Sequence, residues 1–550
     1  MKCVYPDVGR DNNRVSYLVI VCESGDCDLS QFTSNDFLYQ IGSVRTVGQS
    51  LVSINDPYRL NRLAEEIRED YLRWVGEIEA EYDQIPHRIF DTSPVFFSDL
   101  SCKRTEIFDT FNTICNVLLL QEKLDEAEIN EVHIFNGTVD LECAVVSGFP
   151  SSLVCSYNTK RSDVSRTREI LSDVRYLARC LFSIAVCGVF WHPRPIGAHT
   201  GLGYFSIYPK MTDLDGNDHK YGDQVAYDDI HFYCVLTDGF HQSLTIGSYL
   251  RALYRLRDQT RNIILIDSFI SIHSVLKGLR LRSVLWRHKK QVERREYLFR
   301  NINLTGFVQK EIKVSHQRIW RLSIFAEAFS RAFLFIPLRR LTYYLFEYPI
   351  GRLISMAVSV VSPKTIRIGF QHGPASWRKM VYFLGPHLIE KFRFVRHQPL
   401  PNRVLAENLQ SEEIYRAGGY ESVEVMPECS RLAYLKSIKR AKTSKGRLIA
   451  PGLNDGANML SALQVEIASL PDVMFYLRPH PLANNEYLES ITSLKNVKRT
   501  SSSLPELLSK VGTVYVTYSS VGLEARKLGI KIVLVDIPGI VSQSPLHDEE

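Results

Sequence analysis

A chain of 550 residues with 45% hydrophobic and 23% charged residues has the composition of a folded protein of two to four domains. That excludes a mostly disordered chain, a collagen-like chain and a polytopic membrane protein. The 66 basic residues against 61 acidic ones leave a net charge of +5, too even for bulk nucleic-acid binding, so basic function has to be local and no nucleic-acid partner is expected.

The first residues, MKCVYPDVGRDNNR, are polar and lack the apolar stretch of a secretory leader. Eleven cysteines show no C-x-x-C pair and no zinc-finger spacing, which points to free thiols in a reducing compartment. The longest strongly apolar run, Leu181 to Trp191, falls short of the roughly 20 residues needed to cross a bilayer. A cytoplasmic location, or a peripheral one on the inner membrane, is expected.

Ser16–Cys22 (SYLVIVC) is a continuous apolar run of the kind that enters a parallel sheet covered on both faces. A long helix follows from Pro57, with Asp56 as N-cap and Leu60, Leu63, Ile67, Tyr71, Trp74 and Ile78 on one stripe. Val132–Phe135, His231–Leu236, Asn262–Ile266, Thr342–Phe346 and Ile366–Phe370 read as further strands, most of them separated by helical patterns. The first 435 residues thus read as an α/β domain with insertions.

Within it, Leu279–Arg300 crowds Arg280, Arg282, Arg287, Lys289, Lys290, Arg294, Arg295 and Arg300 among apolar residues, and Phe333–Arg340 repeats the mixture. One reading is a solvated helix face. The other is a patch that meets anionic lipid, anchored by Trp286, Tyr297 and Phe299. Residues 436–447 (KSIKRAKTSKGR) read as a linker. Residues 448–550 then alternate cleanly: strands Leu448–Pro451, Val473–Leu477, Val497–Arg499, Thr513–Thr517 and Lys531–Asp536, with helices Asn458–Leu470, Asn485–Leu494, Pro505–Val511 and Val521–Leu528 between them. That alternation specifies a doubly wound parallel sheet.

Ligands of such sheets lie beyond the carboxyl ends of the strands. Pro451-Gly452-Leu453-Asn454-Asp455-Gly456 follows the first strand, Arg478-Pro479-His480-Pro481 the second, and Tyr518-Ser519-Ser520-Val521-Gly522, with Glu524 one turn on, the fourth. Ser519 and Ser520 stand where a strand passes to a helix, a place suited to phosphate as well as to an ordinary serine cap. Arg478 and His480 offer charge and a donor to a departing phosphate, and Glu524 offers a carboxylate to ribose hydroxyls. Asp213-Leu214-Asp215-Gly216-Asn217-Asp218 fails the calcium-loop pattern and reads as a surface loop. Trp191-His192-Pro193 reads as a turn, and Gly201-Leu202-Gly203 belongs to no fingerprint.

The order D-G, H-P, S-S resembles the bacterial GT-B glycosyltransferases that use CMP-activated acidic sugars, the sialyltransferases and β-Kdo transferases, with Asn454 where that family often has an acid. A second block, Gly369-Phe370-Gln371-His372-Gly373-Pro374, followed by Val404–Asn408 and Gly418-Gly419-Tyr420, is similar to bacterial surface-carbohydrate biosynthesis proteins and to the CDP-glycerol glycerophosphotransferases. Phe346-Glu347-Tyr348-Pro349 matches a tyrosine- and glutamate-containing segment before that block. The resemblance implies two Rossmann-like domains facing across a cleft, no bound metal and no resident cofactor. It implies a cytidine nucleotide sugar whose monophosphate is held by His480, Ser519 and Ser520, and Gly452, Asn454, Arg478, Pro481 and Glu524, at the same strand ends, are expected to line that nucleotide site. The acceptor would be a glycan or a lipid-linked saccharide, and the base His372, Asp455 or Glu347. The rivals are a CDP-glycerol-type phosphotransferase and a non-catalytic component of a polysaccharide assembly complex that keeps the nucleotide fold.

Overall fold

The computed structural model describes residues 16–549 except 23–26, 43–45, 48–50, 126–128, 161–165, 192–199, 227, 238–244, 427–429, 440–445, 481–482 and 484–493. Pro481, the helix expected over Asn485–Leu494, much of the linker, and His192 with Pro193 therefore lie outside the described residues. The rest is α/β, built on three all-parallel sheets.

The first sheet is ordered Val52–Ser53, Phe37–Ile41, Ser16–Cys22, Ile129–Phe135, Leu153–Tyr157. The middle one is ordered Asn262–Leu265, Ile230–Cys234, Leu202–Ile207, Arg340–Tyr343, Ile366–Phe370, Arg403–Ala406, Val423–Val425. The last is ordered Val497–Arg499, Phe475–Leu477, Gly446–Ile449, Val511–Val516, Lys531–Leu534. In each, the earliest strand lies inside, the next two extend the sheet one way and the later ones extend it the other way. This is the doubly wound order, whose topological switch point opens beside the first strand.

The sequence explains the elements. Asp56 caps its helix by accepting from the Arg59 backbone N–H, with Pro57 in the first turn. The single long helix expected there breaks at Ile67 into Pro57–Glu66 and Arg68–Tyr82. In the last sheet, Leu448, Val514 and Val516 pack on one face and Ile449, Leu477 and Tyr515 on the other, so its strands are apolar on both sides. The first and middle sheets share one core. The helix Thr305–Phe335 ties them together. Its early residues meet the first body, where Thr110 donates to Glu311, and Phe329 and Phe333 lie under Phe205 and Phe232 of the middle sheet. The segment read as one amino-terminal domain thus contains two sheets fused by a common interior.

That packing corrects the interfacial reading of the basic stretch. Tyr297, Phe299 and Phe333 are at most 5% exposed and belong to the core. Of the three named anchors only Trp286, 50% exposed with Lys290 over its ring at 4.6 Å, faces outward; Leu298, Leu334 and Phe335 are also exposed. Arg282, Lys289, Arg295 and Arg300 are ion-paired to Asp173, Glu169, Glu81 and Asp70. No described helix is long and apolar enough to cross a membrane. In the loop after Met211, Asp213 accepts from the Asp215 and Asn217 backbone N–H groups, and the Tyr208 and Tyr233 hydroxyls donate to the Leu214 and Gly216 carbonyls.

Candidate active site

The carboxyl ends of the first and last sheets face each other across a cavity of about 350 Å³. Residues 537–549 hold the two together. Gly42, with φ of +86°, donates its backbone N–H to the Pro538 carbonyl at 2.8 Å. The Asn112 and Asn116 amides both donate to the Gly539 carbonyl at 2.9 Å. Arg378 donates to the Ser542 and Ser544 carbonyls at 2.8 and 3.0 Å and pairs with Asp548 and Glu65.

From the last sheet the wall takes the loop after Gly446–Ile449. Gly452 is required there, because a Cβ would stand 2.5 Å from the Tyr518 ring. The Tyr518 hydroxyl in turn accepts from the Asn454 backbone N–H at 3.2 Å. The Asn454 side chain crosses the interface and donates to the Glu106 carbonyl at 3.1 Å. Asp455 occupies the N-cap position of Gly456–Ser469 without capping it. Its side chain turns instead to Thr517, whose hydroxyl donates to Oδ2. The other oxygen, Oδ1, is buried and has no hydrogen-bond partner among the described residues. Burial raises the pKa of Asp455 above the ordinary carboxyl value, against the Thr517 bond and the backbone N–H groups of Asp455 and Gly452, which lower it. The result is a desolvated carboxyl group with one oxygen uncommitted, on a cavity wall.

Five asparagines, Asn112, Asn116, Asn136, Asn454 and Asn458, line the same cavity along with Glu106, Asp109 and Asp536. Neutral amides and carboxylates with apolar patches between them match a ligand rich in hydroxyl groups. Lys160 and Arg378 supply its positive charge.

The other sequence-identified residues of the last domain occupy the same carboxyl edge, outside this cavity wall. His480 follows Phe475–Leu477 and Ser519–Ser520 follow Val511–Val516, on either side of the central strand. His480 is held below the usual histidine range by burial and then by Arg478, which favours its neutral form. Ser520 stands at the start of the seven-residue helix Val521–Lys527, and its hydroxyl reaches Glu524 Oε1 at 3.4 Å. Glu524 is buried and also accepts from the Tyr434 hydroxyl at 2.6 Å.

His372 and Glu347 belong to the middle sheet. The Gln371 amide pins the His372 turn, accepting from the Glu407 backbone N–H and donating to the Gly373 carbonyl and the Ser411 hydroxyl. The His372 ring lies against Tyr344 and Tyr348 at 5.7 and 6.1 Å. Arg104 sits over Tyr348 at 5.0 Å and pairs with Glu106 at 2.7 Å. His372 is therefore linked to the cavity through Tyr348, Arg104 and Glu106, and it does not itself line the wall. Glu347 is fully buried among tyrosines, accepts from the Tyr415 hydroxyl at 2.6 Å and is pushed up to about 7 by burial. It lies in the interior, off the cavity wall.

Sequence reading missed Glu106, Asn112, Asn116, Asn458, Thr517 and Arg378 on the wall. Thr517 alone carried a signal, since it ends an apolar strand expected to reach the site.

Comparison with known proteins gives only weak structural likenesses. No family model matches the chain, and no curated protein does. Among solved structures it is similar to UDP-N-acetylglucosamine 2-epimerase from Rickettsia bellii, at 8% identity and a TM-score of 0.34 over 62% of this chain and 79% of that one. It is also similar to the glycotransferase of kitacinnamycin, at 12% and 0.33 over 65% and 84%. The wall teichoic acid polymerase TagF follows, at 9% and 0.29 over 68% and 80%. An epimerase, a transferase and a polymerase at such scores do not choose a reaction, and fold does not imply function. The chain is α/β with three all-parallel sheets, and its chemistry has to be argued from its own residues.

Proposed function

We propose that the chain is a glycosyltransferase that moves an acidic sugar from a CMP-activated donor to a glycan or lipid-linked acceptor, with Asp455 as the base. The observation that carries this reading is the buried Asp455 carboxyl, anchored by Thr517 and uncommitted at Oδ1, in an amide-lined cavity between two parallel sheets. Asp455 takes the proton of the acceptor hydroxyl as that oxygen bonds to the anomeric carbon. The bond from this carbon to the phosphate oxygen breaks, and CMP leaves with the electron pair. Arg478, His480 and the Ser519–Ser520 turn receive the phosphate from the adjoining edge, and fixed groups of this kind do the work of a metal ion. The motif order supports cytidine and the amide-lined wall supports a sugar.

The CDP-glycerol reading shares the His-Gly block and differs in its donor. The test offers a CMP-activated acidic sugar and CDP-glycerol separately, each with a membrane-extract acceptor, and reads released CMP. Release from the first donor alone is expected. Release from CDP-glycerol alone would replace this reading with a phosphotransferase, and release from neither would leave the non-catalytic one. Peripheral docking on the inner membrane is part of the proposal. It now rests on exposed Arg280, Arg287, Lys290 and Arg294 around Trp286, each basic residue contributing about 1 kcal/mol near an anionic surface. Co-sedimentation with anionic vesicles that is insensitive to salt would remove it.

A further inference from the structure

A second cluster of chemically capable side chains sits on the outer part of the first sheet. Glu131 and His133 are two residues apart on the strand Ile129–Phe135, so strand alternation puts both on one face. His133 is in register with Cys155 of the edge strand Leu153–Tyr157, which brings the thiol to the same face. One ligand atom from each of the three, a carboxylate oxygen, a ring nitrogen and a sulfur, lies within 4.8 Å of the others. His133 Nε2 is 3.2 Å from Glu131 Oε2.

The imidazole is held on all sides. Tyr157 stacks on it at 5.8 Å with 10° between the planes, and Tyr17 and Phe32 meet it edge-on at 5.4 and 5.1 Å. Its other nitrogen, Nδ1, is 3.1 Å from the Tyr157 hydroxyl. That matches a metal-binding histidine, whose second nitrogen is fixed by an outer partner that sets the tautomer and the ring direction. Glu131 and Cys155 are partly exposed, so an ion has a path in from solvent. The donor set of one thiol, one imidazole and one carboxylate suits zinc and its neighbours and suits magnesium or calcium poorly.

We propose that Glu131, His133 and Cys155 form a binding site for a zinc-like divalent cation that fastens the edge strand Leu153–Tyr157 to its neighbour. Binding forms bonds from the metal to a Glu131 oxygen, to His133 Nε2 and to Cys155 Sγ. The Cys155 thiol releases its proton to solvent, and water completes the coordination. The site is separate from the cleft and independent of the transfer reading.

The experiment uses the reduced full chain and cobalt(II) as a spectroscopic stand-in for zinc. A sulfur-to-cobalt charge-transfer band in the near ultraviolet is expected, absent in Cys155→Ser and weakened in Glu131→Gln. Tyr157→Phe should lower affinity by about 10–100-fold through loss of the outer partner. Absence of the band in the native chain, or its persistence in Cys155→Ser, would overturn the site. A second measurement uses the native chain alone and needs no variant to fold. Zinc should protect Cys155 from alkylation while leaving the exposed Cys143 reactive, and equal reactivity of Cys155 with and without zinc would refute it.

Discussion

Replacing Asp455 by Asn separates catalysis from stability. The carboxyl is 8% exposed, and burial is the largest influence on its pKa, raising it. A raised carboxyl pKa means that the folded chain binds the proton more tightly than the unfolded chain. The charged form therefore costs stability above the ordinary carboxyl range, and this cost is relieved as pH falls through the raised value. Asn is neutral and nearly isosteric, and its amide oxygen can still accept from Thr517. Asp455→Asn should therefore fold with unchanged or slightly higher stability at pH 7, within about 1 kcal/mol of the native chain, while turnover falls by about 10²–10⁴ as the base is lost. The native acidic limb of the pH–rate profile should lie above the ordinary carboxyl range and disappear in the variant. Urea unfolding and CMP release measured on the same preparations decide it. Normal turnover in Asp455→Asn, or a collapse of stability equal to the loss of turnover, would refute the assignment.

Arg378→Met removes the clamp on residues 537–549 and leaves Asp548 buried without its cation; it should cost about 3–5 kcal/mol in urea unfolding and open the carboxyl-terminal segment to proteolysis. Gly452→Ala drives a methyl group into the Tyr518 ring and should lower turnover together with stability, measured by CMP release and thermal unfolding. Glu347, pushed up to about 7 from 4.5 by burial, keeps its proton in the folded chain between those values while the unfolded chain has lost it. Stability thus falls as pH rises across that window, and Glu347→Gln should flatten this part of the curve in unfolding series at pH 5 and pH 7. His372→Ala should retain most turnover in the CMP-release assay, since His372 is separated from the cavity wall by Tyr348 and Arg104.

A continuous apolar run marks Ser16–Cys22, whereas Ile366–Phe370 (IRIGF) and Val497–Arg499 (VKR) are marked by their place between helical patterns. Ser16–Cys22, Ile366–Phe370 and Val497–Arg499 fold over the same residues as read. Leu202–Ile207 and Arg403–Ala406 escaped because one holds Gly203 and the other is four residues long, so neither outweighs its flanks. The rule that ligands gather beyond strand ends brought Asn454 and Asp455 to the cavity, because those positions depend on local order. Asn116 and Arg378 depend on nothing local. Asn116 meets Gly539 across 423 residues and Arg378 meets Ser542 across 164, and no periodicity encodes such pairs. Glu347 misled for a related reason: a tyrosine-rich segment reads alike as site or core, and only the surrounding Tyr415, Tyr382 and Tyr420 decide for the interior.

The most direct measurement is thermal unfolding of the full chain with CMP, CDP, UDP and GDP, each tried at about a hundred times the dissociation constant found for the tightest binder. The account predicts stabilisation by CMP of about 2.7 kcal/mol, reduced in a Ser519→Ala, Ser520→Ala double variant, with no comparable shift from UDP or GDP. Stabilisation by uridine or guanosine nucleotides in place of cytidine ones, or by none of the four, would contradict it.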